Sequence, residues 1–377
     1  MSFLSAGAST QSRANRPLPD GWQPLVVNRH GVEEIWLLEW AVTHKIHCTW
    51  VFDQGGPVLG YDAVAPSIGL YGPGSVVSFQ EEMAAKLLAE TVGPFLATSD
   101  NTVRFFANGS DACDAAVRLA RYATGRDRFL SVGYHGSSVI FGHAPQNGGI
   151  PDAYTKLRFD MEFGKDAGYL REAFHDGGLP ACLIVEVPSD DETAREYLAV
   201  CRRLCDATGA LLVLDELVTG FRLSIGGAAE YYGVRPDLAC YGKAMSNGRG
   251  IAALVGNREI VSALADRVFF SNTLNGDPYN CAHVIATLNE LGRNGGSIYP
   301  HIWGIGETLR TEMARVGIDI AGHAPRTYIK MPEEARRRFC AAMVAEGIVM
   351  DRPNYSCWAH TERHVALTRQ AAERVLA

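Results

Sequence analysis

Two residues stand where their types and spacing could do covalent chemistry. Asp215 closes the run Gly209-Ala-Leu-Leu-Val-Leu-Asp215, and Lys243 follows the run Leu238-Ala-Cys-Tyr241-Gly242. The apolar stretch Ala210–Leu214 reads as a buried parallel strand that delivers an acid at its carboxyl end. That end is where ligands sit in open α/β sheets. Lys243 lies between Gly242 and Ala244, a small, uncharged setting that suits a desolvated nucleophilic amine better than a salt bridge. A strand-end acid with a lysine in a glycine-flanked turn is what pyridoxal 5'-phosphate chemistry requires. The lysine holds the cofactor as a Schiff base, and the acid keeps the ring nitrogen protonated so that the ring accepts electrons from a carbanion. The plain alternative is an aspartate capping the next helix and a solvated lysine.

Other elements must position a phosphate and a flat ring. Val103-Arg-Phe-Phe-Ala107 reads as a short strand, followed by Asn108-Gly-Ser-Asp-Ala112 and a helix to about Tyr122. Strand, glycine-serine turn and helix start form a phosphate site, because free backbone N–H groups and the positive helix end face the anion. A helix cap without any ligand would use the same residues. Phe129-Leu-Ser-Val132 is the next strand and ends at Gly133-Tyr-His-Gly136, where Tyr134 is placed to lie against a ring and His135 to act as a donor behind it. Cys182-Leu-Ile-Val185 is a further buried strand with Glu186 as its polar end.

The whole chain limits the alternatives. Its 377 residues carry a net charge of −7 with 47% hydrophobic residues, which fits a globular protein and gives no nucleic-acid-coating surface. No apolar run is long enough to span a bilayer, and the start, Met-Ser-Phe-Leu-Ser, lacks the pattern of a secretion signal. Nine cysteines without a Cys-x-x-Cys pair fit a reducing cytoplasm, with Cys201 and Cys205 read as small buried hydrophobes. The eleven histidines make no metal-spaced pair. Residues 1 to about 20 read as a mobile arm or one lying on a partner subunit. Val32 to Val42 reads as a helix, Trp50–Gly60 as a loop, and Glu81–Val92 as an amphipathic helix. Ile251–Val255 reads as a strand, Cys281–Leu291 and Glu333–Glu346 as helices, and Thr327–Lys330 as extended.

The segments Asp215-Glu-Leu-Val-Thr-Gly-Phe-Arg222, Tyr231-Tyr-Gly-Val-Arg-Pro-Asp-Leu238 and Gly242-Lys243 resemble the class III pyridoxal phosphate aminotransferases. Within them the first run looks most like the glutamate-1-semialdehyde aminomutase branch. The likeness is loose from about Trp50 to the C-terminus and tight around Phe106–Gly136 and Ala210–Pro278. It implies an α/β fold of fold type I, with a large mixed-sheet domain over about 61–280. Residues 1–60 would supply the arm and part of a smaller α+β domain, and 281–377 the rest of it.

The resemblance also implies residue roles. Lys243 and Asp215 would be catalytic, and the phosphate would sit on the turn of Gly109, Ser110 and Asp111. This turn resembles the family's Ser-Gly-Thr-Glu-Ala, with Asn108 and Asp111 departing from it; Asp111 is compatible with phosphate only if it points away. Tyr134 would cover the ring and Glu186 would lie near the cofactor, although Val187 follows it where the family has proline. Leu217 would pack on the ring's other side if the strand continues. Thr273 matches a threonine that reaches the phosphate of the other subunit, which implies a homodimer with shared active sites.

The implied activity is that of an aminotransferase or aminomutase acting on a small-molecule amino substrate. A decarboxylase on the same scaffold, with a nucleotide-linked amino acid as one candidate substrate, is the alternative, and a non-catalytic cofactor-binding protein the third reading. The stretches Phe141–Asp152 and 187–193 are short where the family carries closing loops. That implies either a bulky substrate, larger than a free five-carbon amino acid, or a lid supplied by the arm or a neighbouring subunit.

Overall fold

The computed structural model describes residues 77–142, 148–187 and 194–377, and short strands between Val26 and Thr49. The N-terminal arm, the Trp50–Gly60 loop and parts of both short linkers (143–147 and 188–193) lie outside the described residues. The chain divides into two compact units, Ala65–Gly295 and a second made of Met1–Val64 with Gly296–Ala377.

Of the helix expected over Val32–Val42, the described residues Ile35–Glu39 and Val42 lie in strands instead. Strands β1 (Val26–Val27), β2 (Ile35–Glu39) and β3 (Val42–Ile46) form an antiparallel sheet, with Leu38 opposite Thr43 and Glu39 opposite Val42. Over so short a window, apolar residues at helical spacing do not separate helix from strand. The β-branched Ile35, Val42, Thr43 and Ile46 favour cross-strand pairing. Strand β4 (Cys48–Thr49) belongs to the same unit.

The larger unit is built on a seven-stranded sheet. Its strands are β5 (Asn101–Phe106), β6 (Phe129–Val132), β7 (Arg158–Asp160), β8 (Cys182–Glu186), β9 (Leu211–Asp215), β10 (Leu238–Tyr241) and β11 (Ala252–Asn257), in the order β5-β11-β10-β9-β8-β6-β7. β7, β6, β8, β9 and β10 pair in parallel, while β11 is antiparallel to both β10 and β5. β5 therefore runs in the same direction as β10. The carboxyl ends of six strands meet along one edge, and the turns at Gly109, Tyr134, Leu217 and Lys243 follow four of them.

The apolar runs of β8 to β10 are buried along almost their whole length because helices cover the sheet. Helix Gly109–Thr124 buries Ala112, Cys113, Ala115, Ala116, Val117, Leu119 and Ala120. These small residues let its axis approach the sheet, where they share a core with Leu238, Cys240, Ala252 and Leu254. Gly125, at φ 65°, ends the helix in the left-handed conformation that glycine adopts without strain. Helix Ala194–Thr208 buries Cys201 and Cys205, and burial pushes the Cys201 thiol up to about 12.

In the second unit, β12 (Ile320–His323), β13 (Arg326–Ile329) and β15 (Asn354–Tyr355) form an antiparallel sheet. β14 (Ile348–Val349) pairs in parallel with β4. Helices Glu333–Ala345 and Glu362–Leu376 close its core around Phe339, Met343 and Val365. The helix expected over Cys281–Leu291 is part of the longer helix Pro278–Arg315. Among the described residues no helix is long and apolar enough to cross a membrane.

Candidate active site

Asp215 ends β9, and its side chain is 2% exposed. A buried carboxylate needs donors, and three converge on it. His135 Nδ1 lies 2.8 Å from Oδ2, the Cys113 thiol donates to the same oxygen at 3.5 Å, and the Leu217 backbone N–H donates to Oδ1 at 3.1 Å. A carboxylate only accepts, so the imidazole hydrogen resides on Nδ1. Phe141 steadies His135 from the side, with ring centroids 5.4 Å apart, and itself packs edge-on against Phe129. The sequence marks His135 through its place beside Tyr134. Nothing in it marks Cys113, whose approach to Asp215 depends on how the helix lies across the sheet.

Cys113, His135 and Asp215 bring possible metal-ligand atoms within 4.8 Å of one another. The thiol is held protonated, however: a hydrogen bond with Cys240, then burial and the Asp215 charge, push it well above its ordinary value. In this arrangement the thiol and the imidazole act as a hydrogen-bonded clamp on Asp215.

The condition under which Leu217 would face the ring, a strand continuing past Asp215, is not met. β9 stops at Asp215, and Leu217 lies in the following turn, where its N–H caps the carboxylate. Its side chain is nonetheless buried between two glycines. A Cβ on Gly109 would stand 2.5 Å from Leu217 Cδ1, and one on Gly242 would stand 2.7 Å from Cδ2. The phosphate turn, the leucine and the lysine turn are thus in contact, and a side chain at either flank would displace the leucine.

Glu216, adjacent to Asp215, is fully buried and turned the other way. Its carboxylate accepts from Thr219 Oγ1 and from the backbone N–H groups of Ala228 and Ala229, holding the start of helix Gly227–Tyr232. Burial pushes its carboxyl up to about 7 against those donors, and the Asp215 charge adds to the rise.

Lys243 follows β10 at φ 48°, and Asn247 closes the same turn at φ 52°. A lysine in the left-handed region is strained, and such strain persists where surrounding structure enforces it, often at functional sites.

At the phosphate turn, Asn108 caps helix Gly109–Thr124: its Oδ1 accepts from the Asp111 N–H at 2.9 Å. Its Nδ2 donates to Asp111 Oδ2 at 3.0 Å, so the Asp111 side chain is held by its own helix cap. The amides of Gly109 and Ser110 open the helix and have no partner inside it. Ser110 Oγ accepts from the Ser137 N–H at 3.1 Å. This closure requires Gly136, at φ 101°, where a Cβ would stand 2.1 Å from Ser110 Oγ.

Tyr134 is 63% exposed on the same edge, and its N–H donates to Glu186 Oε2 at 3.1 Å. Glu186 therefore fixes the loop that carries the aromatic ring. Thr273 is exposed in a turn pinned to β5 by Asn275, whose Oδ1 accepts from the Ala107 N–H at 2.9 Å.

These groups fit pyridoxal phosphate. A clamped buried acid, an exposed aromatic, a helix start with open amides and a lysine at one sheet edge match its ring nitrogen, ring face, phosphate and aldehyde in turn.

Comparison with known proteins supports the same reading. Residues 190–350 match the aminotransferase class-III family model. The FumI protein of Sphingopyxis sp. MTA144, solved with pyridoxal phosphate, is similar at 25% identity with a TM-score of 0.81, covering 96% of this chain and 90% of that one. A β-phenylalanine aminotransferase from Variovorax paradoxus shares the fold at 22% identity and TM-score 0.80, covering 99% and 90%. An ω-transaminase from Sphaerobacter thermophilus shares it at 20% and 0.78, covering 99% and 94%. The class is therefore that of fold type I pyridoxal phosphate-dependent enzymes. Over residues 190–350 the chain is similar to the class III aminotransferases.

Proposed function

We propose that the enzyme moves an amino group between a small-molecule amino compound and a carbonyl acceptor, with Lys243 and Asp215 as its catalytic residues. The observation that carries this reading is the buried Asp215, clamped by His135 at the same sheet edge as the strained Lys243. When bound there, the cofactor supplies an electron sink that acidifies the Cα–H bond of the amino compound. Lys243 Nζ would take the Cα proton and deliver it to the carbon on the far side of the substrate nitrogen, a 1,3-transfer. Asp215, oriented by His135, Cys113 and the Leu217 amide, holds a proton at the ring nitrogen. Leu217 and Tyr134 confine the ring between them. Gly109 and Ser110 offer amides and a hydroxyl to the phosphate, while Asp111 and Glu186 act on the protein frame around the site.

A second chain is part of this proposal. Thr273 is flanked by Phe269, 81% exposed, and Leu274, 61% exposed, and so apolar a surface suits burial in a homodimer. Nine free, buried cysteines support a cytoplasmic, reducing setting.

The Asp215–Arg222 run, with its likeness to the aminomutase branch, supports migration of an amino group within one substrate as a second reading. The shortness of Phe141–Asp152 and 187–193 supports a substrate bulkier than a five-carbon amino acid. Incubating the purified enzyme with a panel of amines and keto acids, and separating products by mass, tests all of this. Amino transfer to a keto acid supports the first reading, and isomerisation without an acceptor the second. Loss of carbon dioxide would overturn both, and efficient turnover of glutamate-1-semialdehyde would remove the bulky substrate. Borohydride reduction followed by peptide mapping should place the cofactor on Lys243. Another lysine, or none, would refute the assignment.

A further inference from the structure

Glu216 is fully buried beside Asp215, and the reaction proposed above gives it no task. Its carboxylate gathers donors from two places. Thr219 Oγ1 donates at 2.5 Å from within the same turn, and the Ala228 and Ala229 N–H groups donate at 2.9 and 2.8 Å from helix Gly227–Tyr232. Its backbone is engaged as well. The Glu216 N–H donates to the Cys240 carbonyl of β10 at 2.9 Å, and its carbonyl accepts from the Gly220 N–H at 2.8 Å. One residue therefore ties the turn after β9 to β10 and to the next helix. A dry, fully satisfied polar network of this kind is rigid.

The anchored turn meets the lysine region along two contacts. Leu217 gives its N–H to Asp215 and sets its side chain against Gly109 and Gly242. Gly220 and Phe221 pack on Tyr241, two residues before Lys243. A Cβ on Gly220 would stand 2.7 Å from Tyr241 Cδ1, and the Phe221 and Tyr241 rings lie 5.5 Å apart. The Tyr241 hydroxyl is buried and has no hydrogen-bond partner among the described residues, so packing holds that ring. Phe221, at φ 59°, is strained like Lys243 at φ 48°, and the surroundings must enforce both.

We propose that Glu216 is a positioning residue for the reaction. By pinning Leu217–Phe221 it keeps the Leu217 amide on Asp215 and braces Tyr241, and through it the backbone of Lys243. This rests on the amino-transfer reading above. The rival is that Glu216 merely fastens helix Gly227–Tyr232 to the sheet, with no effect on the lysine turn.

The two are separated by amide hydrogen exchange of the cofactor-loaded protein, read on peptides. Glu216→Ala removes the anchor, Thr219→Val removes one of its donors, and Thr219→Ser keeps the hydroxyl. In the first two, exchange should quicken at Leu217 and also at Met245, Asn247 and Gly248, whose N–H groups close the lysine turn. Turnover per bound cofactor should fall roughly tenfold to a hundredfold in Glu216→Ala, the scale expected when reacting groups are misplaced, while KM moves less. Thr219→Val should shift both readouts in the same direction by less, and Thr219→Ser should stay near wild type. If Glu216→Ala fails to fold, Thr219→Val decides alone. Faster exchange confined to Gly227–Tyr232 overturns the proposal, as does wild-type turnover per bound cofactor in Thr219→Val. Absence of amino transfer in the wild type would refute the underlying reading instead, and the exchange at the lysine turn would still decide whether Glu216 braces it.

Discussion

His135 Nδ1 lies 2.8 Å from Asp215 Oδ2, with the two side chains 1% and 2% exposed. So dry a contact makes the hydrogen bond electrostatically strong, and removing one partner leaves the other unsatisfied. His135→Leu should therefore lower kcat by about tenfold or more while KM changes less, since the loss falls on holding the ring-nitrogen proton rather than on substrate binding. Asp215→Asn should retain cofactor yet lose turnover more severely. Withdrawing even about 3 kcal/mol of carbanion stabilisation slows the step roughly a hundredfold. Steady-state kinetics with cofactor content measured by absorbance checks both. Near-wild-type turnover in Asp215→Asn would mean that another group holds the proton.

Gly136→Ala tests the closure of the phosphate turn. The new methyl group would meet Ser110 Oγ at 2.1 Å, at a backbone φ of 101° that alanine resists. The cofactor dissociation constant should rise at least tenfold, measured by dialysis and fluorescence. Gly125→Ala is the control: it also has positive φ, but a Cβ there meets nothing within 4 Å, so the cost should appear in stability instead.

Glu216 provides a pH test. Its folded-state pKa is raised from 4.5 to about 7 by burial, so the group contributes stability below about pH 4.5 and loses it as pH rises to 7. Glu216→Gln does not titrate, and its amide resembles the protonated carboxyl that wild type carries at pH 5. Any deficit of the variant at pH 5 should shrink by about 3 kcal/mol between pH 4.5 and 7. Urea midpoints of both proteins at intervals across that range measure the difference. A deficit independent of pH would show that the carboxyl titrates normally.

The proposed dimer yields a complementation test. Ser110→Ala and Thr273→Ala should each raise the cofactor dissociation constant if both hydroxyls reach the phosphate, Thr273 from the second chain. A mixed dimer of the two variants should regain one intact site and up to half of wild-type activity per dimer. A monomer in solution that binds cofactor tightly would remove the role of Thr273 in trans.

Much of this protein is legible in its residue order. The runs Phe129–Val132, Cys182–Val185, Ala210–Leu214 and Leu238–Tyr241 are strands because they are apolar on both faces and end in turn or polar residues. Helix Gly109–Thr124 follows from a capping asparagine and an apolar face at helical spacing. Those signals are local, and local signals survive folding when tertiary packing agrees with them.

Where the packing sets its own terms, the sequence is silent or misleading. Val32–Val42 has helical spacing but pairs as strands, since cross-strand partners outside the window choose between the two. Leu217 lies two residues beyond Asp215, yet it reaches its place through a turn, wedged between Gly109 and Gly242. The Asp215 clamp joins residues 80 and 102 positions away in the chain. Sequence alone determined which groups could do the chemistry, because an acid, a lysine and a glycine-serine turn carry their reactivity in their covalent structure. The sheet decided that they meet: by reversing only β11, it sets the ends of β5, β6, β8, β9 and β10 along one edge, and hydrogen-bond register between strands is a property of pairs that no single stretch contains.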